Sequence, residues 1–344
     1  MDASIWYLWM PIAGMYIFWP GLVLIGFSVG TIGGFFGMAG AWMVTPGLNI
    51  LGFPMAFAIG TDMAHIAGKS MISTFRHAKF GNVDYKLAVV MLVGTMIGIE
   101  CGAQIVMKLE RLGNIGTVVR WAYVILLALI AAMVFYDYYK ASSKKKTGQV
   151  GEYGATGITW YETLHRIKIP PMMHFKESGF TCSVWVPISI SFLTGVLAGF
   201  LGIGGGLIRM PALVYLVGCP THIAVGTDLA EVMVSGLYGA FTYALKGRIE
   251  IVAVFVMLTG AAIGAQIGTI ATKYSQGYGI RLVFGIAVLC CMVSIILKQY
   301  KFDAAATVVI LGTIAIICLY IIKILIMGIY KELSMKSKSS AMAA

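Results

Sequence analysis

The sequence predicts an all-α, polytopic membrane protein made of two homologous repeats, with about eight or nine transmembrane segments. Of its 344 residues, 59% are hydrophobic and 11% are charged, whereas soluble domains have about 25% charged residues. Its apolar runs repeatedly approach the roughly 20 residues that a membrane-spanning helix needs. The tripeptide Gly-Thr-Asp also occurs twice, at 60–62 and 226–228, within similar surroundings.

Glycines and prolines reveal the duplication. At one constant offset along the chain, the first copy's Gly37, Gly40 and Pro46 correspond to Gly202, Gly205 and Pro211. After a slip of a single position, Gly52, Pro54, Phe75, Gly81, Gly94, Gly98 and Gly102 correspond at a second constant offset to Gly218, Pro220, Phe241, Gly247, Gly260, Gly264 and Gly268. Because the matches keep their order with only this slip, we infer an internal duplication.

We divide the chain into six regions. Residues 1–20 form an N-terminal interfacial segment, because tryptophan and tyrosine favour the headgroup level; we expect 4–19 to be an interfacial helix or the first part of a span. The other regions are membrane repeat 1 (21–138), a basic polar linker (139–185), membrane repeat 2 (186–300), an extra transmembrane helix (301–330) and a basic tail (331–344).

Each repeat begins with a glycine-rich break followed by a proline, at 33–46 and 199–211. Each glycine lowers helix stability by about 1 kcal/mol relative to alanine, and proline removes a backbone donor. We therefore expect broken or re-entrant helices that meet at mid-membrane, where they must face protein or a wet cavity. Three spans follow each break: 54–76, 86–107 and 117–137, then 220–245, 250–272 and 280–298.

Charge distribution favours inverted repeats. The net charge is +11, and seven of the 25 basic residues lie between Lys140 and Lys176. A basic linker and a basic tail are both expected on the cytoplasmic side, which requires an even number of crossings between them and favours a re-entrant broken segment. If that segment instead crosses the membrane, each repeat has four crossings and the halves are parallel; the charges of the short loops do not decide between the two. The same charges suit contact with anionic lipid at the bilayer surface and argue against nucleic acid as a partner.

Ionisable residues at membrane depth are costly and usually functional. On the helix that starts near Pro54, Asp62, His65 and Lys69 share one face, and the second copy places Asp228 and Glu231 at matching positions. Such groups can change charge, so we assign these five residues to proton coupling. Arg209 follows the second break and suits an oxyanion, whereas Glu100 fits a transport role or a structural hydrogen bond equally well.

The N–H groups of opened helix ends favour small anions, and paired broken helices form the substrate sites of secondary transporters. We therefore expect a small-anion transporter linked to protons. A cation carrier with Asp62, Asp228 and Glu231 as ligands is the main alternative, and Arg209 speaks against it. An intramembrane enzyme using Asp62, His65 and Glu231 is a weaker one, since no metal or nucleophile motif is present.

The motif Gly195-Val-Leu-Ala-Gly199-Phe-Leu-Gly202-Ile-Gly204-Gly205-Gly206, followed by Pro211 and Ala224-Val-Gly226-Thr227, resembles the repeated motif of the TauE/SafE family. A half-motif recurs at 30–46 and 58–61, so the resemblance covers 26–137 and 191–298. It implies an inner-membrane carrier that exports sulfite or an organosulfonate such as sulfoacetate. The predicted substrate-binding residues are Gly37, Ala39, Gly40, Pro46, Thr61, Gly202, Gly204, Gly205, Gly206, Arg209, Pro211 and Thr227.

Three departures from the family pattern concern the substrate. The first copy lacks the full glycine triplet, aspartate follows Gly-Thr in both copies, and the linker and last helix are long. The six cysteines form no CxxC pattern and are expected to be small buried hydrophobic residues. We expect no metal, no cofactor and no catalytic residue. The partners we expect are a small anion and the lipid bilayer, and a homodimer is one assembly that the sequence allows.

Overall fold

The computed structural model of the protein describes residues 5–36, 41–145, 169–272 and 279–343, which are mostly α-helical. Within these ranges lie eleven α-helices: α1 Trp19–Phe36, α2 Val44–Ile50, α3 Met55–Lys79, α4 Tyr85–Arg111, α5 Ile115–Lys145, α6 Trp185–Leu201, α7 Gly206–Ala212, α8 Thr221–Leu245, α9 Ile251–Thr272, α10 Gly279–Gln299 and α11 Asp303–Ala343. A 3₁₀ helix, Ala41–Met43, precedes α2, and a π-helix, Leu213–Val217, follows α7. The strands are β1 Tyr7–Met10, β2 Met15–Phe18, β3 Met172–Phe175 and β4 Phe180–Ser183.

Within the described part of the chain, four helical segments are long and apolar enough to cross a membrane: Tyr85–Arg111, Ile115–Tyr136, Ile251–Ala271 and Asp303–Tyr330. Shorter apolar helices run over Trp19–Phe35, Trp185–Leu201 and Val283–Gln299. The helices α3 and α8 have 25 residues each and carry the buried ionisable side chains. The predicted class, a multi-pass α-helical membrane protein, is confirmed.

Two helix pairs are held together by glycines. Along α1 and α9, Gly26, Gly30 and Gly34 contact the backbone of Met257, Ala261 and Ala265 in register. The pair α4 and α6 is alike, since Gly94, Gly98 and Gly102 contact the backbone of Ile188, Phe192 and Val196. Residue numbers rise together in both pairs, so the paired helices are parallel. Small residues let helices in a membrane approach until their backbones touch.

The central helices α3 and α8 run antiparallel to each other. Gly60 contacts Tyr243, whereas further along α3 Met63 contacts Gly239 and Ala67 contacts Gly236. Residue numbers rise along α3 as those of its contacts on α8 fall, so the two helices run in opposite directions. Each of these helices carries one Gly-Thr-Asp tripeptide near its N-terminus, so the two tripeptides lie toward opposite ends of the antiparallel pair.

The chain reverses direction after α1. Gly47, on α2, packs against the side chain of Ile25, and Leu51, which ends α2, packs against Gly21 near the start of α1. The helix α2 therefore runs back along α1. Pro46 fits in the first turn of α2, where the missing N–H has no intrahelical partner in any case.

The second glycine segment ends α6 and starts α7. Gly202, Gly204 and Gly205 have φ values of 81°, 66° and 76°, a left-handed conformation that glycine adopts without a steric cost. The predicted helix break in the second copy is confirmed. In the first copy, α1 ends at Phe36 and the 3₁₀ helix begins at Ala41, while Gly37 and Gly40 lie outside the described residues.

The prediction of an interfacial helix over residues 4–19 is wrong. The strands β1 and β2 form an antiparallel hairpin, with Trp9 paired to Tyr16 and their ring centroids 4.9 Å apart. Pro11 and Gly14, whose φ is 67°, favour a turn between them, and aromatic residues favour strands. Aromatic enrichment indicated an interfacial position but not which secondary structure it would take.

The linker prediction also needs correction over its last part. The strands β3 and β4 form a second hairpin, in which Phe175 and Phe180 are buried and pack with Leu87, Met91 and Val217. Residues 172–183 are therefore packed against the membrane helices, and α5 extends through residue 145. Residues 146–168 lie outside the described residues.

We expect Gly264→Ala to destabilise the protein and Gly312→Ala to leave it unchanged or slightly more stable. A Cβ at Gly264 would overlap the backbone oxygen of Phe27, whereas one at Gly312 meets nothing within 4 Å. Overpacking costs about 1–3 kcal/mol, and alanine favours an open helix by about 1 kcal/mol. Thermal unfolding in detergent compares the two; equal midpoints would contradict the role assigned to the glycine contacts.

Candidate functional site

Each Gly-Thr-Asp tripeptide is held by a loop from the other half of the chain. A Cβ on Gly60 would overlap the backbone oxygen of Arg248, and one on Gly226 would overlap that of Asn82. Only glycine allows the loops before α9 and α4 to lie this close to α3 and α8. The two contacts correspond, because Gly60 and Gly226, like Asn82 and Arg248, are equivalent positions of the duplication.

The threonines bond to the same loops. Thr61 Oγ1 accepts a hydrogen bond from the backbone N–H of Glu250 at 3.0 Å, and Thr227 Oγ1 accepts one from that of Asp84 at 2.9 Å. Both threonines were predicted to bind substrate. In this conformation their hydroxyl oxygens join the two halves of the chain, and both side chains are buried.

The loop carboxylates extend this contact to the hairpins. Glu250 Oε2 accepts hydrogen bonds from the backbone N–H groups of Ile12 and Ala13, both at 2.9 Å. Asp84 Oδ2 accepts from the backbone N–H of Ser178 at 3.2 Å and from its hydroxyl at 2.8 Å. Sequence reasoning missed both carboxylates, although Asp84 and Glu250 have the same offset as the two tripeptides and so carry the signature of the duplication.

Asp62 is buried beside the start of α2. Its Oδ2 accepts hydrogen bonds from Thr45, at 3.1 Å from the backbone N–H and 2.8 Å from the hydroxyl. His65 Nδ1 lies 3.8 Å from Asp62 Oδ1, and neither ring nitrogen has a hydrogen-bond partner among the described residues. Lys69 Nζ donates to the carbonyl oxygen of Val29 on α1 at 2.9 Å.

Arg209 lies at the centre of a second buried cluster. Its Nε donates to Asp228 Oδ1 at 2.6 Å, its Nη2 pairs with Glu231 Oε2, and its Nη1 donates to Thr95 Oγ1 at 3.2 Å. Ser235 donates to Glu231 Oε2 at 3.3 Å. The guanidinium has no exposed surface, so an incoming anion could reach it only after the side chains around it rearrange.

The glycine segment lies between these clusters. A Cβ at Gly202 would be 2.6 Å from Thr45 Oγ1, next to the Asp62 site, and one at Gly206 would be 2.5 Å from Asp228 Oδ2. Gly204 packs against Ile66 of α3 and Val232 of α8, and Gly205 faces Arg209 Nη1. The glycines therefore give α7 room to bring Arg209 to α8.

Of the predicted residues, the structure places Asp62, His65 and Lys69 in the first cluster and Arg209, Asp228 and Glu231 in the second. Pro46 follows Thr45 on α2, and Pro211 lies within α7, two residues after Arg209. Gly37, Ala39 and Gly40 lie outside the described residues. The hydroxyls of Thr45 and Thr95 were missed, because threonine inside an apolar helix commonly bonds only to its own backbone.

The two clusters contain more carboxylates than basic groups. With ionised carboxylates, protonated Lys69 and Arg209 and a neutral His65, three negative groups face two positive ones, which leaves one negative charge. Buried charges are tolerated when they are paired and hydrogen-bonded. The arrangement can therefore accept one proton without acquiring a net positive charge.

Long apolar helices around buried ionisable side chains are typical of multi-pass membrane proteins that move an ion or a polar substrate. The chain belongs to the TauE/SafE family, whose model, described as sulfite exporter TauE/SafE, matches residues 22–295. No solved structure matches the chain.

Related proteins bear the names of membrane transporters. The probable membrane transporter protein YunE of Bacillus subtilis (strain 168) is 22% identical over 276 residues, which cover 78% of this chain and 93% of YunE. A probable membrane transporter protein of Xylella fastidiosa (strain 9a5c) is 26% identical over 282 residues, covering 80% of this chain and 93% of the relative. The probable membrane transporter protein MJ0441 of Methanocaldococcus jannaschii is 25% identical over 230 residues, covering 65% and 72% respectively. Family and relatives thus indicate a membrane transporter rather than an enzyme.

We expect Thr45→Val to destabilise the protein by about 1–3 kcal/mol, because buried Asp62 would lose its hydroxyl donor and retain only the backbone N–H. Thr45→Ser keeps that donor and is the matched control. Thermal unfolding of the purified variants in detergent measures the difference. Equal losses for valine and serine would show that the hydroxyl does not hold Asp62.

Proposed function

We propose that the protein is a secondary transporter that exports a small sulfur-containing anion across the cell inner membrane, with coupling to protons. The substrate class is sulfite or an organosulfonate such as sulfoacetate. The observation that carries the proposal is the fully buried guanidinium of Arg209, held by two carboxylates at a glycine break. The description of the family as a sulfite exporter supports the substrate class.

We further propose that the two halves are inverted repeats. Equivalent helices related by a two-fold axis in the membrane plane must run antiparallel, as α3 and α8 do. The exchanged contacts of Thr61 with Glu250 and Thr227 with Asp84 are what such an axis would produce. The reversal of the chain between α1 and Leu51 supports a re-entrant first segment and three crossings after it.

Proton coupling follows from competition for Arg209. A guanidinium binds an oxyanion through the same parallel N–H groups that it offers to a carboxylate. When Glu231 takes up a proton, its attraction for Arg209 weakens, and an oxygen of the substrate replaces it. Substrate and proton then occupy the site together, so the proton compensates for the charge of the anion.

A cation carrier is the second candidate, and the excess of carboxylates over basic groups in the two clusters favours it. Asp62, Asp228 and Glu231 would supply the oxygen ligands. Arg209 lies between two of these carboxylates and would repel the cation. A flux screen of sulfite, thiosulfate, sulfate, sulfoacetate and divalent cations in proteoliposomes separates the two, since the anion hypothesis is abandoned if only cations move.

We expect Arg209→Gln to lower anion flux by roughly 100-fold or more, because truncating a buried charge partner costs about 2–5 kcal/mol or more. Arg209→Lys should not restore flux, since one ammonium cannot reach Asp228, Glu231 and Thr95 with the geometry of the planar fork. The double variant Arg209→Gln/Glu231→Gln leaves fewer unpaired charges and is the control for folding. Undiminished flux in correctly folded Arg209→Gln would remove Arg209 from the site.

We expect flux in the unmodified protein to rise when the side that holds the substrate is acidified, by up to about tenfold per pH unit for a single proton. Acid protonates Glu231 and so releases Arg209. Glu231→Gln should remove this dependence, whereas Ser235→Ala, which leaves the carboxyl in place, should retain it. Sulfoacetate is the informative substrate, because its sulfonate stays ionised. An unchanged pH profile in Glu231→Gln would assign the proton to another group.

A further inference from the structure

A cavity of 660 Å³ opens where α4 and α8 end and the loop to α9 begins. Four basic and two acidic side chains line it: Lys108, Arg111, Lys246, Arg248, Glu100 and Glu110. Nothing in the proposed function uses these groups. They lie near the helix ends, where the substrate of a transporter would enter or leave the protein.

Two of the basic residues are paired and two are not. Lys246 Nζ lies 3.2 Å from Glu100 Oε1, and Arg248 Nε lies 2.9 Å from Glu110 Oε1. Neither Lys108 nor Arg111 forms an ion pair within the part of the chain that the structure describes. Since the acidic groups already have partners, the cavity has two cations available and should attract anions.

A polar stripe on α8 connects this cavity with the buried cluster. Asp228, Glu231, Ser235, Thr242 and Lys246 follow one another at helical spacing, and Gly239 lies between Ser235 and Thr242. Lys246 Nζ also donates to the carbonyl oxygen of Thr242 at 3.4 Å. From Glu231 to Lys246 the stripe is about 22 Å long at 1.5 Å per residue.

The stripe is closed at Gly239. A Cβ added there would lie 3.1 Å from Met63 Sδ and 3.5 Å from Ile99 Cγ2. Met63 and Ile99 are buried and form a small apolar cluster with Ala198, against which Tyr238 packs. We call Met63, Ile99 and Ala198 the apolar plug. It separates the charged cavity from Arg209 in this conformation.

These charges come from both halves of the chain, and the duplication does not repeat them at the equivalent positions. At the equivalent positions of the other copy, Glu100 corresponds to Gln266, Lys246 to Phe80 and Arg248 to Asn82. If the halves are inverted, the corresponding positions lie at the opposite membrane face and lack the ion pairs. The cavity is therefore a feature of one face and not a by-product of the duplication.

We propose that this cavity is an anion-loading site, from which a small oxyanion passes along the stripe of α8 to Arg209 once the apolar plug moves aside. The inference rests on the proposed function for the identity of the anion. The route itself, from Lys246 past Gly239 to Glu231, rests only on the placement of these residues.

The charges are tested by sulfite flux in proteoliposomes, measured from both faces. Lys108→Glu should raise the half-saturation concentration about tenfold, leave the maximal rate unchanged and lose its effect at high salt. Lys79→Glu is the matched control, because exposed Lys79 ends α3 away from the cavity. Equal effects of the two reversals, or none at Lys108, would overturn the loading site.

The plug is tested by thiol labelling with a membrane-impermeant maleimide, in a parent that carries Cys101→Ser because Cys101 is exposed. Thr242→Cys, outside the plug, should react at least tenfold faster than Ser235→Cys, inside it. Adding Ile99→Ala should remove this difference, whereas Ile310→Ala, equally buried on α11, should not. Equal rates with Ile99 intact, or equal effects of the two alanines, would overturn the plug.

Sulfoacetate serves as the protecting anion in the labelling assay, since sulfite itself consumes maleimides. If sulfoacetate slows the labelling of Thr242→Cys, and Lys108→Glu weakens this protection, the loading site is supported. Absence of protection overturns it. The parent protein could transport neither sulfite nor sulfoacetate while Thr242→Cys still reacts faster than Ser235→Cys. This result would overturn the proposed substrate and leave the route in place. Failure of the route and failure of the function are thus distinguishable.

Discussion

Burial of charge is the constraint on which the rest of the structure depends. A lone ion removed from water costs several kcal/mol, so each buried carboxylate needs donors and the guanidinium needs carboxylates. Thr45 supplies the hydrogen-bond donors to Asp62, and the Arg209 guanidinium is shared by Asp228 and Glu231. In both clusters the contact joins two helices: a short helix that comes directly after a break, α2 or α7, and a long central helix, α3 or α8. A continuous helix through either break would carry Thr45 or Arg209 past its partner, so the breaks are a requirement of the charges.

The repeated Gly-Thr-Asp tripeptide acts as one unit because successive helical residues point about 100° apart. Glycine admits the loop from the other half, threonine bonds to that loop, and aspartate faces the interior. The same loops place Glu250 and Asp84 against the turns of the two hairpins. The positions of Asp62 and Asp228 are therefore set by contacts that reach from the central helices to the hairpins. This explains why a tripeptide, and not a single acidic residue, recurs in both copies.

Much of this organisation could be predicted, because helical spans, glycine breaks and buried ionisable residues leave strong patterns in an apolar sequence. The hairpin at Tyr7–Phe18 could not, since its aromatic residues suit an interfacial helix as well as a strand. Asp84 and Glu250 were missed because charges in loops normally face water. The pairing of Arg209 was also beyond reach, as it depends on which residues of α8 the short helix α7 meets. The duplication could have supplied part of what was missed, because positions 84 and 250 are related by the same offset as positions 61 and 227.

The two copies share a frame and differ in what holds the aspartate. In the first, a hydroxyl and an amide bond to Asp62 without neutralising it, so this carboxylate remains responsive to a proton or a cation. In the second, a single guanidinium is shared by Asp228 and Glu231, so this cluster responds to anything that competes for Arg209, including an anion. The two clusters lie on helices that contact each other through Gly60, Met63, Gly236 and Gly239, where close backbone packing resists independent movement. The proposed coupled transport requires that a change of charge in one cluster affect the helix that carries the other, and this close packing offers a mechanical link between them.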